Sequence, residues 1–425
     1  MSKKPGWGTV IASRMTRGLG RNVTALVCAA TTTAACDRTT PTRARAVTDD
    51  ARVPLEASVD IGGQGGPYEL SEVVGVATLS DGRFIIGNRA TNDIRVFSPT
   101  GSHLMTVGRT GGGPGEFYGL SWIGVASADT ILAYDLRSRR LSWFAPNGKY
   151  VRGSTIDTGM WSGSVIGRFA DGSFVVTSNR YPLPRARPAG LVVDSIVLSR
   201  VSADANRWAR LGAFPGWQQF WTGSGAAGVG FGLPVFRKLH VIVCDSAIVA
   251  GYPDRPHVSW VSSEGQRLGE LDLPLAERAI SPAEREQIIK ARTARASADF
   301  RPRIEAAIEA GGVVPHSYPP FAALGGDTVG TLWVALPAVG VSAPTEWVRY
   351  APNAAVIDTV RLAPRSRFAA VAGDRLFVIA RDEDDVEHVL AYRIPKSAAA
   401  GGYPPASDPE RPTGCHRGFY SALTS

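Results

Sequence analysis

Short apolar runs, each introduced by a polar turn, recur along the chain between residues 80 and 380. In the first, the turn Asp81-Gly82-Arg83 leads into Phe84-Ile85-Ile86. The other five runs are Ile131-Leu132-Ala133, Phe174-Val175-Val176, Ala247-Ile248-Val249, Leu332-Trp333-Val334 and Leu376-Phe377-Val378. Continuous apolar runs bounded by Gly, Asp and Ser are typical of strands buried on both faces. The pattern therefore predicts six similar sheets.

The first two runs belong to a sequence repeat. The element Pro67-Tyr68-Glu69-Leu70 returns 47 residues later as Pro114-Gly115-Glu116-Phe117, at the same distance from the apolar run that follows it. A repeat in the forties, built of short strands and Gly, Asp or Asn turns, is the signature of a β-propeller. With six centres, we predict an all-β fold, a six-bladed β-propeller over residues 53–396.

The outer strands and the closure of the ring are also predicted. After the first centre, Ile94-Arg95-Val96-Phe97 and the turn Pro99-Thr100-Gly101 supply an outer hairpin. The last centre is followed only by the apolar stretch 389–394, while the segment Leu55 to Ile61 has no blade of its own. We expect this N-terminal strand to complete the sixth blade, which removes an exposed sheet edge.

Residues 275–312 interrupt the β pattern with a small helical insertion in the later half. Ser281, Pro282 and Glu284 form an N-cap, a first-turn proline and a capping-box acid at the right offsets. Two short helices follow, with an apolar face of Ile288, Ile289, Ile304 and Ile308 and a polar face of Arg292, Arg295 and Glu305. The insertion either shields a blade edge or serves as a lid or docking element.

Residues 1–36 have the features of an export signal. They carry five cations, no acid, and a short apolar run from Val23 to Ala30 that ends in small residues before Cys36. Small residues followed by Cys resemble the bacterial lipoprotein box, although Thr33 stands where that box prefers Leu. We expect a lipid anchor on Cys36, a tether over residues 37–52 and a membrane-anchored lipoprotein facing the periplasm or cell surface. A plain secreted protein is the alternative, and either Met1 or Met15 is the start.

Export changes the meaning of the net charge. The formal charge of +8 includes the five cations of the leader, so cleavage leaves +3. The remaining arginines are scattered among acids, and the cluster Arg38, Arg43, Arg45 and Arg52 is confined to the tether. Nucleic-acid binding needs a clustered basic stripe. We therefore expect no nucleic-acid partner.

The four cysteines do not form a disulfide framework. Cys28 and Cys36 belong to the export segment, and Cys244 ends an apolar stretch in which a small buried side chain is expected. A bridge from Cys244 to Cys415, in the irregular tail over residues 397–425, is chemically permitted in an oxidising compartment. The absence of any Cys-x-x-Cys pair argues against a zinc site.

The Gly-rich phrase from Gly108 to Phe117 is a connection between blades rather than a phosphate loop, because no Gly-Lys-Ser/Thr follows it. The chain repeats a turn of the form Gly-x-Gly-Pro-Gly-Glu-Phe, followed by an apolar strand that begins after Asp-Gly. This arrangement resembles the NHL and TolB-like six-bladed propellers of bacterial exported proteins. The resemblance implies a ring-shaped binding surface. Propellers of these families include scaffolds, binders of peptides or glycans, and a few enzymes of the lactonase and paraoxonase-like kind.

Those similar enzymes imply a central calcium held by carboxylate and amide oxygens. Weak candidates for such a metal site stand just after the blade-centre strands: Asn88, Asp135, Asn179 and Asp382. Asn and Asp at strand ends more often satisfy their own turns. The six histidines show no metal spacing, and no Ser-His-Asp set is identifiable, so no catalytic residue and no cofactor is predicted.

The long insertion between the third and fourth centres offers the candidate ligand-binding residues. It contains Arg180, Arg185 and Arg187 on a Pro-rich loop, then Trp217, Phe220 and Trp221 on a Gly-rich one. Such aromatics either stack on a sugar or peptide or fill a core margin. We predict a non-enzymatic envelope protein that binds a protein, peptide or glycan. The alternative is a calcium-dependent hydrolase or lyase.

Overall fold

The chain folds into six antiparallel sheets formed by successive segments. The computed structural model describes residues 52–53, 55–63, 68–156, 163–179, 189–222, 229–233, 235–309, 313–327, 330–338, 343–351 and 354–394. The export segment with Cys36, the arginines at 180, 185 and 187, Cys415 and the tail 397–425 lie outside the described residues. Two N-terminal strands come first, β1 (Arg52–Val53) and β2 (Ala57–Gly62).

The first two sheets are regular four-stranded meanders. Sheet 1 contains β3 (Val73–Thr78), β4 (Phe84–Asn88), β5 (Asp93–Phe97) and β6 (His103–Val107). Sheet 2 contains β7 (Leu120–Val125), β8 (Ile131–Asp135), β9 (Arg140–Phe144) and β10 (Tyr150–Thr155). In each, consecutive strands pair in order, so the chain runs from one edge of the sheet to the other.

The third sheet is larger. It contains β11 (Ser164–Arg168), β12 (Phe174–Asn179), β13 (Gly190–Val201), β14 (Trp208–Thr222) and β15 (Val229–Phe231). β12 pairs only with residues 196–201 of β13, so the rest of the β13–β14 hairpin extends past the sheet.

The last three sheets complete the set. Sheet 4 contains β16 (His240–Val243), β17 (Ala247–Gly251), β18 (His257–Ser262) and β19 (Arg267–Asp272). The helices α1 (Pro282–Ala294) and α2 (Arg301–Glu309) follow. Sheet 5 contains β20 (Ala323–Gly326), β21 (Leu332–Ala335), β22 (Thr345–Tyr350) and β23 (Val356–Leu362), with β1 added parallel to β23. Sheet 6 contains β24 (Ser366–Ala372), β25 (Arg375–Arg381) and β26 (Glu387–Arg393).

The sheets close into a ring around their first strands. β3, β7, β11, β16, β20 and β24 contact one another in that order, and β24 contacts β3. β2 pairs antiparallel with β26 and supplies the outer strand of sheet 6. This is a six-bladed β-propeller, and the sequence predictions of six blades and of an N-terminal closing strand are confirmed. We call the sheets blades 1 to 6.

The core lies between neighbouring blades, as the continuous apolar runs predict. Phe84 of blade 1 packs against Phe377 of blade 6, with 5.2 Å between ring centroids. The six apolar runs all lie on the second strand of their blade, and their central residues are fully buried. Burial on both faces is why these strands do not alternate between apolar and polar residues.

The Gly-rich connection between blades 1 and 2 is structural. Gly108 adopts a φ of 80°, and a Cβ there would lie 2.4 Å from the Phe117 ring. The Glu116 carboxylate accepts the Gly113 N–H at 2.7 Å and pairs with Arg109. The acid that recurs in the repeat therefore stabilises the turn that enters the second blade.

Candidate functional site

The two faces of the ring differ. The last residues of four inner strands line one cavity of about 490 Å³: Thr78, Val125, Arg168 and Ala372. We call this side the distal face. The opposite side, where the inner strands begin, carries two additions to the propeller, and we call it the cap face.

The first addition is the outer part of the β13–β14 hairpin, which continues beyond β12 on the cap face. The Gln218 N–H donates to the Arg237 carbonyl at 2.9 Å, and the Leu239 N–H donates to the Gly216 carbonyl at 3.0 Å. These bonds fix the segment that enters the inner strand of blade 4. Lys238 therefore lies opposite Trp217, in a short antiparallel bridge.

The second addition is the helical insertion, whose two ends are joined to each other. The Ile280 N–H donates to the His316 carbonyl at 2.8 Å, and the Tyr318 N–H donates to the Arg278 carbonyl at 2.9 Å. α1 begins at the predicted capping box, in which Ser281 and Glu284 bond reciprocally. The insertion therefore leaves and rejoins the ring at one place, between blades 4 and 5.

The two additions share one hydrophobic cluster, which we call the cap core. Phe220 and Phe231 pack at 5.6 Å between ring centroids. Ile304 of α2 is 1% exposed in the same cluster, and Ile288, Ile289 and Ile308 pack against it. The predicted apolar face of the helices is thus the face that packs against this cluster. We use "cap" for the described residues within 190–195, 214–236 and 275–318.

A cavity of about 420 Å³ separates the cap from the ring. Its ring side is formed at the start of two inner strands and in two loops of blades 4 and 5: Lys238, His240, Pro253, Pro319, Phe321, Ala322, Pro337 and Ala338. Its cap side is formed by α1 and the neighbouring segments: Val235, Phe236, Glu284, Gln287, Ile288, Ala291, Arg295 and Tyr318. Most of these side chains are apolar or aromatic.

Lys238 and His240 are the polar side chains on the ring side of the cavity. They stand two residues apart on an extended segment, so both face the same side while Leu239 between them enters the blade core. Burial lowers the pKa of the Lys238 ammonium. Burial, together with the charge of Lys238, lowers the pKa of His240 to about 3, so its imidazole is neutral at physiological pH.

The cap side contributes one acid and one cation. The Glu284 carboxylate accepts a hydrogen bond from the Ser281 N–H of the N-cap at 2.9 Å and forms an ion pair with the Arg278 guanidinium. The Arg278 hydrogen bond and then the Ser281 amide lower the pKa of Glu284 to about 2. Arg295, the C-cap of α1, is exposed at the edge of the cavity.

The predicted aromatic residues lie on a strand. Trp217, Phe220 and Trp221 belong to β14, so the expectation of a Gly-rich loop there was wrong. Phe220 is 9% exposed and belongs to the cap core. Gly230 of β15 lies over the Trp221 ring, since a Cβ on Gly230 would be 2.5 Å from that ring. None of the three lines the cavity described above.

Three of the four weak metal candidates accept hydrogen bonds from nearby backbone N–H groups. The Asn88 amide accepts the Ser71 N–H at 3.0 Å and donates to the Thr91 hydroxyl at 2.8 Å. Asp135 accepts the N–H groups of Tyr118, Gly119 and Ser138. Asp382 accepts those of Asp384 and Val386. Asn179 is the last residue of β12. Within the described residues, no three His, Cys, Asp or Glu side chains are grouped so as to hold a metal ion.

Sequence reasoning did not identify Lys238 and His240. The signal that could have found them is the alternation Arg237-Lys238-Leu239-His240, in which polar residues interrupt the entry to an inner strand. Inner strands of a propeller pack against their neighbours, so polar residues such as lysine and histidine are unusual at the start of one and indicate a functional site.

Comparison with known proteins supports the fold and leaves the site unassigned. Residues 69–164, which include blades 1 and 2, match the family model DUF5128, described as a 6-bladed beta-propeller. The search of curated proteins found no match. In the part of the chain that the structure describes, no helix has the length and apolar character needed to cross a membrane.

Several solved structures are similar in architecture. A putative exported protein from Bacteroides fragilis NCTC 9343 is 13% identical, with 83% of this chain and 98% of that chain covered and a TM-score of 0.48. Virginiamycin B lyase from Staphylococcus aureus is 12% identical, with 80% and 99% covered and a TM-score of 0.42. Regucalcin, a calcium-binding protein from Agrobacterium tumefaciens str. C58, is 10% identical, with 82% and 98% covered and a TM-score of 0.42. Similarities of this size carry no functional argument for this chain.

Proposed function

We propose that this protein is an exported, non-enzymatic binding protein that holds a small, largely apolar molecule between its cap and its ring. The observation that carries the proposal is the cavity of about 420 Å³ on the cap face. Ligand pockets in proteins typically measure roughly 300–1,000 Å³ and combine apolar walls with a few polar groups. The cavity has this size and this composition.

The cavity does not result from poor packing of the protein interior. Protein interiors are packed about as densely as organic crystals, with few voids larger than a water molecule. The cap core and the blade cores are well packed, and large aromatic side chains such as Phe321 and Trp333 are fully buried. A space for a small organic molecule that persists between two such cores indicates a binding site.

Hydrogen bonds from two arginines of α1 hold the cap in place over the cavity. The Arg285 guanidinium donates to the carbonyls of Val314 at 2.8 Å and Pro315 at 3.1 Å, and Arg292 donates to the Gly232 carbonyl at 3.1 Å. α1 is thus tied both to the return segment of the insertion and to the segment after β15. Of the two interpretations of the insertion, these contacts support a lid.

The N-terminal sequence supports export and, at Cys36, a lipid anchor, as in the NHL and TolB-like exported propellers that the sequence resembles. A propeller held at the cell envelope would present its capped cavity to molecules outside the cytoplasm. The predicted protein, peptide or glycan partner remains a prediction for the outer surface. The calcium-dependent enzyme is not proposed as a second function, since no observation on the described residues favours it.

The test uses a neutral apolar dye, N-phenyl-1-naphthylamine, whose fluorescence rises when it leaves water. The wild-type protein should bind it with saturation at one site per chain. Ala291→Trp places an indole in the cavity and should abolish binding, because Ala291 of α1 lines the cavity and is half-buried.

The matched control is Ala294→Trp. Ala294 is exposed on the same helix and does not line the cavity, so this variant should bind the dye as the wild type does. Melting curves should show that both variants are folded. If wild-type protein shows no saturable binding, or if both tryptophan variants bind equally well, the cavity is not the binding site and the proposal fails.

A further inference from the structure

The imidazole of His240 is a buried polar group at the wall of the cap cavity. His240 is 4% exposed, begins β16 and lines the cavity. Within the part of the chain that the structure describes, its ring nitrogens form no hydrogen bond. The large majority of buried polar side-chain atoms in proteins have a hydrogen-bond partner. A buried imidazole that faces a cavity without such a partner indicates that a ligand supplies it.

The surroundings of His240 hold the imidazole in place. β16 pairs with β17, on which Gly251 lies opposite His240. A Cβ on Gly251 would lie 2.9 Å from Cζ of Phe321, so the glycine leaves room for the Phe321 ring beside the imidazole, with 5.8 Å between ring centroids. Leu239, the preceding residue, is anchored in the core between blades 3 and 4. The imidazole is therefore positioned before any ligand enters, which precise recognition requires.

Other polar groups of the cavity wall differ from His240. The Glu284 carboxylate is held by the N-cap of α1 and by an ion pair. Lys238 interacts with other groups of the protein. Gln287 and Arg295 are exposed to solvent at the edge of the cavity. His240 is distinguished from these four by being buried and without a hydrogen bond.

We propose that the ligand of this cavity is an alcohol or phenol, an apolar body that carries a hydroxyl group, and that the hydroxyl forms a hydrogen bond with the His240 imidazole. The inference rests on the proposed function and adds the chemical class of the ligand. It assigns to His240 the recognition of the polar group. The apolar wall, which includes Phe321 on the ring side and Ile288 on the cap side, contacts the body of the ligand.

The chemistry of the imidazole favours a neutral partner. Burial and then the charge of Lys238 lower the pKa of His240 to about 3, so the ring is neutral at physiological pH. A neutral imidazole has one nitrogen that donates a hydrogen bond and one that accepts. A hydroxyl both donates and accepts, so it matches whichever nitrogen faces the cavity. The neutral ring carries no charge that would offset the burial of an ionised group.

The experiment measures displacement of N-phenyl-1-naphthylamine by two probes of nearly the same shape. 4-tert-Butylphenol carries a hydroxyl where 4-tert-butyltoluene carries a methyl group. The toluene leaves water more readily, so the ratio of the two dissociation constants is compared between the wild type and His240→Leu, which cancels this difference. We expect the preference for the phenol to be roughly tenfold greater in the wild type, the effect of one buried hydrogen bond.

The matched control is His316→Leu. His316 belongs to the cap, is exposed and does not line the cavity, so this variant should keep the wild-type ratio. Without ligand, His240→Leu should melt no lower than the wild type, because a buried polar group that lacks a partner does not stabilise the fold. A lower melting temperature with an unchanged ratio would assign His240 a structural role and overturn the inference.

Nitrogen NMR of histidine-labelled wild-type protein gives a test that needs no variant. Addition of 4-tert-butylphenol should shift the ring-nitrogen signals of one histidine, and 4-tert-butyltoluene should leave them nearly unchanged. The same signals should be absent from the spectrum of His240→Leu if that variant folds. Equal shifts with both probes would show that the imidazole does not recognise the hydroxyl.

The proposed function and the inference fail in different ways. If both probes displace the dye and their ratio is the same in the wild type and His240→Leu, the proposed function stands and the inference is wrong. Displacement by neither probe would also overturn the inference, as would tighter binding of 4-tert-butylbenzoate, an ionised probe, than of the phenol. If the dye itself does not bind, the proposed function fails.

Discussion

A single buried carboxylate joins the last blade to the first. Glu387, at the start of β26, is 3% exposed and accepts the Val73 N–H of β3 at 2.6 Å. The same carboxylate accepts the Arg381 guanidinium at 3.1 Å and lies 3.9 Å from that of Arg367. Arg367 in turn donates to the Val73 carbonyl. Both backbone groups of Val73 are therefore held by blade 6.

Glu387→Ala should lower the free energy of unfolding by about 1–3 kcal/mol, because a buried N–H loses its acceptor. Chemical denaturation followed by tryptophan fluorescence measures this change. Glu383→Ala, an exposed acid of the preceding turn, is the control and should change stability by less than about 0.5 kcal/mol. Equal effects of the two substitutions would show that Glu387 does not join the blades.

The contact between His388 of β26 and Asp60 of the closing strand β2 depends on pH. Nδ1 of His388 lies 2.9 Å from an Asp60 carboxylate oxygen on β2, and Nε2 lies 3.4 Å from Asp382. Burial opposes the charged form, but the hydrogen bonds and charges of the two carboxylates outweigh it and raise the pKa of His388 above 6.5. The folded protein therefore binds this proton more tightly than the unfolded chain.

The stabilisation from this histidine is complete below pH 6.5 and is lost as the pH rises through the raised pKa. Between pH 6 and pH 9, the melting temperature of the wild type should fall by about 1–2 °C more than that of His388→Gln. His103→Gln is the control, since His103 contacts the Thr106 hydroxyl and, within the described part of the chain, no carboxylate. Parallel curves for wild type and His388→Gln would contradict the assignment.

At the scale of elements, the closing strand β2 is the piece that makes the ring complete. Val59 and Ile61 are 7% and 5% exposed and pack in the cluster between blades 1 and 6. Gly101, in the β5–β6 turn, approaches so closely that a Cβ there would lie 2.7 Å from Val59. A strand from the N-terminus thus contacts the neighbouring blade as well as its own.

Ile61→Ala should destabilise the whole propeller by about 2–5 kcal/mol, because it removes buried methyl and methylene groups and leaves a cavity. Glu56→Ala, an exposed residue just before β2, should have little effect. Denaturant unfolding gives both values. A loss below about 1 kcal/mol at Ile61 would mean that the ring is stable without its closing strand.

The blades and the two helices were predictable because local signals agree there. Apolar triplets, turn residues and a capping box each lie where the tertiary structure needs them. The β13–β14 hairpin was missed because Pro215 and Gly216 are breakers in a sequence pattern. In the structure, the register shifts between Val193 and Ser195, opposite this pair, and the Asp194 carboxylate accepts the Trp217 N–H at 2.5 Å. A bulge accommodates a proline that a regular strand would not.

The binding cavity could not have been predicted, for a different reason. Its walls come from five chain segments, and no short pattern tells which of them face one another. Lys238 and Tyr318 are 80 residues apart and meet only because the insertion leaves and rejoins the ring beside blade 4. The sequence predicted the helices as an insertion but not the space beneath them.

At the scale of the whole molecule, the cap and the distal face are formed by separate parts of the structure. The cap has its own core, distinct from the clusters between the blades. The inner strand β16 runs from the cap face to the distal face and ends at Val243, next to Cys244. β26, the third strand of its blade, runs in the same direction and ends at Arg393. The described chain therefore ends on the face where Cys244 lies.

Cys244 is fully buried and disulfide-bonded, and the other three cysteines lie outside the described residues. If the leader is cleaved before Cys36, Cys28 is lost, and a lipid on Cys36 occupies that thiol. Cys415 is then the only partner left, and it follows Arg393 by 22 residues. The disulfide would tie the C-terminal tail to the distal face, away from the cap cavity.

Protein exported with its native leader should yield one disulfide-linked peptide pair, Cys244 with Cys415, in mass spectrometry without reduction. Protein produced from residue 37 contains only these two cysteines. It should show no free thiol when unfolded unreduced, and Cys415→Ser should lower its stability by about 2–4 kcal/mol. A Cys36–Cys244 pair would contradict both the bridge and the lipid anchor, because one sulfur cannot carry a lipid and a disulfide. The identity of this one bond therefore tests the export of the protein as well as its fold.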